Sequence, residues 1–169
     1  MSMMSIRAAT PRDRAAIRSV EEHAFGQETE AGLVDALVAA GDAVVELVAE
    51  EEGQVVGHIL FSRLHVMDGD RRFSAVALAP LAVEPSFHGT GIGGALVGEA
   101  HRRLKAAGET LSVVLGDPAY YGRFGYTRAR AEAFESGYQG DALQALAWGE
   151  APRAGRLDYA AAFGPAVAA

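Results

Sequence analysis

The 169 residues include no cysteine. Disulfides, iron–sulfur clusters, thiolate-held zinc and a cysteine nucleophile are therefore excluded. Long apolar runs are also missing. The longest, residues 75–83, contains Pro80, and a membrane helix needs ~20 apolar residues. Residues 1–9 have no apolar core of the signal-peptide kind, so the chain reads as cytoplasmic. Basic residues are outnumbered: 15 Lys and Arg stand against 22 Asp and Glu, for a formal charge of −7. Nucleic-acid binding, which needs clustered cations, is not expected. Neither is a metal: the five histidines form no pair at zinc-finger spacing. No Gly-x-Ser-x-Gly is present for a hydrolase elbow.

What is present is ordinary globular composition, 50% apolar and 22% charged, in a chain of one-domain length. A single domain over residues 1–169 is expected. Residues 5–8 read as a first strand. Thr10 then caps a helix with Pro11 and Asp13 in its first turn, and Ile17, Val20 and Phe25 form its apolar stripe. Leu33, Leu37 and Val38 mark one face of a second helix, ended by Gly41. Two strands, 44–51 and 54–64, flank the tight turn Glu52-Gly53, and 74–83 is a third. After a glycine-rich loop, Ile92, Leu96, Val97, Ala100 and Leu104 share one helical face. Residues 111–115 form a buried strand and 118–124 a short helix. Weaker strands fall near 142–146 and 157–160. The paired carboxylates Glu21-Glu22 read as solvated. The order gives a mixed sheet with helices on it, and residues 74–115 form a strand–loop–helix–strand unit with a parallel pair.

The loop His88-Gly89-Thr90-Gly91-Ile92-Gly93-Gly94 carries the most chemistry. Its glycines permit positive φ and close approach of a ligand. The following helix offers unpaired N–H groups and a positive dipole end to phosphate oxygens. A P-loop would require Gly-Lys-Ser/Thr, and Gly93 is followed by Gly94 and Ala95. A dinucleotide site is the rival reading: Gly89, Gly91 and Gly94 fit G-x-G-x-x-G, with Asp117 ending the next strand. Against it, three antiparallel strands precede the loop, and too little chain follows for further βαβ units.

The string Leu81-Ala82-Val83 followed by His88-Gly89-Thr90-Gly91-Ile92-Gly93 resembles motif A of the GNAT superfamily of N-acetyltransferases, usually written Q/R-x-x-G-x-G/A. Tyr120-Tyr121-Gly122-Arg123-Phe124-Gly125-Tyr126 resembles that family's later aromatic segment. Leu115-Gly116-Asp117-Pro118-Ala119-Tyr120-Tyr121 is similar to a bacterial branch with an LGDPxYYxRFGF signature. The likeness extends over nearly the whole chain. It implies an α/β (α+β) fold with a mixed, mostly antiparallel sheet flanked by helices and a splayed parallel strand pair. It implies acetyl-CoA as co-substrate and an amine of a small molecule or protein as acceptor. Leu81, Ala82 and Val83 would border the pantetheine arm, with the backbone of Leu81 and Val83 bonding to it. His88, Gly89, Thr90, Gly91, Ile92, Gly93 and Gly94 would surround the pyrophosphate. His88 departs from the usual Gln or Arg.

By the same resemblance, Tyr121 holds the position of the acid that protonates the departing thiolate, a role its ordinary pKa near ~10 suits. Tyr120, Phe124 and Tyr126 read as packing aromatics. No general base is assigned; Glu84, His58, His65 and Asp117 stay open, as does ordered water. A CoA-binding module without catalysis is the alternative from another class. Acceptor and oligomeric state, a homodimer being one option, are not read from the sequence.

Overall fold

The computed structural model describes residues 4–164. Their elements are β1 (Met4–Ala8), α1 (Arg14–Phe25), α2 (Thr29–Ala39), β2 (Ala43–Glu51), β3 (Gln54–Asp68) and β4 (Arg71–Val83), then α3 (Ile92–Ala106), β5 (Leu111–Leu115), α4 (Pro118–Tyr121) and α5 (Arg128–Ala131), and finally β6 (Phe134–Glu135), β7 (Leu143–Ala147) and β8 (Gly155–Asp158). The strands are ordered β1-β2-β3-β4-β5-β7, with β8 pairing β3 and β6. Pairs β1–β2, β3–β8 and β5–β7 are antiparallel; β4–β5 and the short β6–β8 are parallel. The expected mixed, mostly antiparallel sheet with a parallel pair across the glycine loop is thus observed.

The chain groups into two compact units: Met1–Phe61 with Pro80–Arg103, and Ser62–Ala79 with Leu104–Ala169. It passes between them inside β3, β4 and α3.

In the first unit, the helix expected to start after Thr10 opens instead with a 3-10 turn, Pro11–Asp13, and α1 itself starts at Arg14. The carboxylate of Asp13 accepts the backbone N–H of Thr10 at 2.7 Å, and Arg7 grips it at 2.8 and 3.0 Å. These bonds hold the Asp13 carboxyl well below the usual carboxylate range. Glu52 and Gly53 both take positive φ, 49° and 84°, the turn that joins twisted antiparallel strands. Successive residues of β3 face opposite sides. A Cβ on Gly57 would lie 3.0 Å from Ile92 and Leu96, so α3 packs on that side. His58 turns to the other side and meets Glu21 of α1.

Several sequence expectations are corrected here. Phe25 is 42% exposed instead of completing the α1 stripe. The buried face of α2 is Ala31, Val34 and Leu37, in place of Leu33, Leu37 and Val38; that helix is apolar nearly all round, so packing chose the face. Glu21 is not solvated but fully buried. Its Oε2 lies 2.7 Å from His58 Nδ1, and Glu46 lies 2.8 Å from Nε2. Glu46 also binds Arg14 at 2.5 Å.

The second unit has its own core: Leu64 and Val66 of β3, Ala75 and Ala77 of β4, Leu111 and Val113 of β5, and residues of α5 through β8. Arg63 holds Glu109 through two bonds, 3.0 and 2.7 Å. The elements α5 and β6 were missed because they span only four and two residues, too short for periodicity to register.

The His58 cluster generates a pH prediction. Burial opposes the imidazolium, but the bonds to Glu21 and Glu46 outweigh it and raise the His58 pKa above its ordinary 6.5. Between 6.5 and the raised value the folded state holds a proton that the unfolded state has lost, so stability falls as pH rises through that window. Thermal unfolding at stepped pH should show this decline in the wild-type protein and not in His58→Ala. At pH 6 that variant should be about 3–5 kcal/mol less stable, the cost of stranding buried carboxylates.

Candidate active site

The last residue pairing of β4 with β5 is Leu78 with Val114. Pro80 follows, buried and without an N–H to donate. In the first unit β4 then runs through Leu81, Ala82 and Val83. Ala82 is buried, while Leu81 and Val83 are half-buried. The N–H of Glu84 donates to Val56 O at 2.8 Å, and a 3-10 turn, Pro85–Phe87, leads into the loop.

There, Gly89 and Gly91 adopt φ of 80° and 85°, left-handed values that cost other residues strain. A Cβ at either would meet nothing within 4 Å. Torsion, not internal crowding, demands glycine, and the loop surface stays open. The N–H and hydroxyl of Thr90 both donate to Phe87 O. The first helical bond is Ala95 N–H to Gly91 O, 3.0 Å. The N–H groups of Ile92, Gly93 and Gly94 therefore lack helical acceptors and point out of the positive end of α3. Ile92 anchors that end with a buried side chain. The His88 ring donates through Nε2 to Val83 O at 2.8 Å, tying the loop back to the strand it leaves.

Tyr121 belongs to the second unit. Asp117 accepts the N–H of Ala119 at 2.9 Å and caps α4, with Pro118 at its first position. The Tyr121 ring meets Tyr120 edge-on at 5.0 Å and Tyr126 at 6.0 Å between centroids. Burial, with a smaller contribution from Tyr120, pushes its pKa up to about 12. Tyr126 is buried, and its hydroxyl pairs with Ser112 Oγ at 2.8 Å; Tyr120 and Phe124 are half-buried and stack edge-on at 5.4 Å.

Among the residues left open as bases, His58 is enclosed with both ring nitrogens engaged, and Asp117 is a helix cap. His65 contacts Arg72 at 3.2 Å. Glu84 accepts from His23 Nδ1 at 2.9 Å, a partner 61 positions earlier that no sequence spacing signals. Sequence reasoning also passed over Gly116, on which the Tyr121 ring rests.

A strand running into a positive-φ glycine turn, with a helix N-terminus of free N–H groups behind it, is an arrangement that suits phosphate oxygens. Residues 5–129 match the acetyltransferase (GNAT) domain family. Over 127 residues the chain is 39% identical to the uncharacterized N-acetyltransferase YhbS of Escherichia coli (strain K12), covering 75% of each. It is similar to the crystal structure of a GNAT family acetyltransferase from Brucella melitensis in complex with acetyl-CoA, at 39% identity. That match covers 96% of this chain and 99% of the other, with a TM-score of 0.83. It is also similar to the structure of YhbS from Escherichia coli in complex with CoA, at 31% identity, 96% and 93% coverage and a TM-score of 0.88. The chain belongs to the GNAT superfamily of N-acetyltransferases.

A Cβ at Gly116 would lie 2.5 Å from Cε2 of Tyr121, closer than packing allows. Gly116→Ala should displace the ring and cost about 1–3 kcal/mol, the usual penalty of overpacking. Urea unfolding measures it; unchanged stability would show that the ring moves aside freely.

Proposed function

We propose that this acetyltransferase takes acetyl-CoA as donor and passes the acetyl group to a primary amine of a small molecule or protein by direct attack. The open glycine turn at the head of α3, with its three free N–H groups, is the observation that carries this reading. A pyrophosphate suits donors fixed in the backbone, because they need no reorganisation and the helix dipole adds to them. Leu81 and Val83 supply backbone groups for the pantetheine arm, and Ala82 between them packs inward. His88 acts on this loop through Val83, whose carbonyl it occupies; one lone pair of that oxygen stays free. The acetyl-CoA complex of the Brucella melitensis relative supports the choice of donor.

In this reading the amine nitrogen bonds to the acetyl carbon, the carbon–sulfur bond breaks, and one proton moves from nitrogen to sulfur. Tyr121 gives its hydroxyl proton to the departing sulfur and is restored by the proton that the nitrogen releases through water. A pKa of about 12 keeps the hydroxyl protonated at pH 7 and commits it to donating.

Two variants and one assay test this. Release of CoA thiol from acetyl-CoA, followed across a panel of primary amines, distinguishes an enzyme from a CoA-binding module. Tyr121→Phe keeps the ring and removes the donor. The single-turnover rate should fall ~10²–10⁴-fold with acetyl-CoA affinity unchanged; a rate within about threefold of wild type removes the acid role. Gly91→Val, which forces a branched residue to φ of 85°, should abolish CoA binding in calorimetry while circular dichroism stays that of the folded protein.

A further inference from the structure

We propose that the second unit carries a separate binding site for a small organic oxyanion, a carboxylate or phosphate on an apolar body. The site is a cavity of about 830 Å³ beside β3, β4, α5 and the segment between β7 and β8. That volume falls within the range of small-molecule sites, ~300–1,000 Å³. Its lining includes Arg71, Arg72, Arg130 and Arg153, four of the 15 basic residues in a chain of charge −7.

Arginines withdrawn from water are normally paired with carboxylates. Here, among the described residues, none of the four has a carboxylate within ion-pair distance, although Asp68 and Glu150 also border the cavity. Arg130 is held rigidly: Nη2 donates to Ala151 O at 3.2 Å and Pro152 O at 2.9 Å, and Cζ lies 5.8 Å from the Phe134 ring centre. Its Nη1 is buried with no acceptor. Burial and the neighbouring charge of Arg153 both disfavour its charged form. Like charges gathered without counter-ions repel one another, and an oxyanion removes that cost. The planar guanidinium fork matches carboxylate and phosphate alike. The ligand's apolar part is set by Phe73, Ala151 and Pro152, which line the same space. None of the residues assigned to acetyl-CoA lines this cavity.

Phenyl phosphate, benzoate and, as a neutral control, benzyl alcohol can be titrated calorimetrically into the whole protein. At least one anion should bind saturably, more weakly at high salt, and benzyl alcohol should not. The stronger anion identifies the headgroup. Arg71 and Arg153 are exposed and make no hydrogen bond among the described residues, so Arg71→Gln/Arg153→Gln should fold normally. It should lose about tenfold or more in anion affinity, as expected when charge-assisted partners are removed, with CoA affinity unaltered. Absence of saturable anion binding to wild type overturns the proposal, as does equal affinity in the variant. So does a parallel loss of CoA affinity, which would make the cavity part of the CoA site.

Discussion

Backbone hydrogen bonding along β4 is the constraint on which the other features depend. Val76, Ala77 and Leu78 share their backbone hydrogen bonds between the parallel ladder with β5 and the neighbouring β3. Pro80, two residues on, has none to donate, which is why proline marks edges and bulges in sheets. From there β4 runs on to Val83, and Glu84 bonds back to Val56. The same requirement recurs at the head of α3, where no preceding turn exists to accept the N–H groups of Ile92, Gly93 and Gly94. Donors left unpaired at such a place, behind glycines that keep side chains out of the way, are the groups on which the proposed phosphate site rests.

Charge is handled in two opposite ways. In the first unit, Glu21, Glu46, Arg14 and His58 are drawn together under cover, each carboxylate answered by a cation. The desolvation penalty there is offset by paired partners, and removal of any one leaves the others stranded. In the second unit, the four arginines that border the cavity have, among the described residues, no carboxylate within ion-pair distance. The first arrangement stabilises a fold; the second leaves an electrostatic field available to a ligand.

Legibility followed the range of the interaction. The five apolar residues of α3 were read correctly because their spacing alone defines the face. In α2, which is apolar on most sides, the spacing was compatible with more than one face, and tertiary packing, which includes α1, selected Ala31, Val34 and Leu37. Glu21 beside Glu22 looked like a surface pair. Only His58, 37 positions away, makes its burial tolerable. Tyr121 was picked out by resemblance, but the burial that raises its pKa is a property of the folded chain, not of its spacing.

Sequence by itself determined the features closed within a few residues: the Thr10–Asp13 cap, the Glu52-Gly53 turn, the Asp117 cap of α4 and the positive-φ glycines ahead of α3. These are set by torsional preference and short hydrogen bonds, which act before any tertiary contact exists. Tertiary structure alone decided which carboxylates are buried, which face of α2 is covered, and which arginines meet around one cavity. Each of those outcomes depends on groups brought together from distant parts of the chain, and burial changes the energy of a charge far more than any neighbour in sequence does.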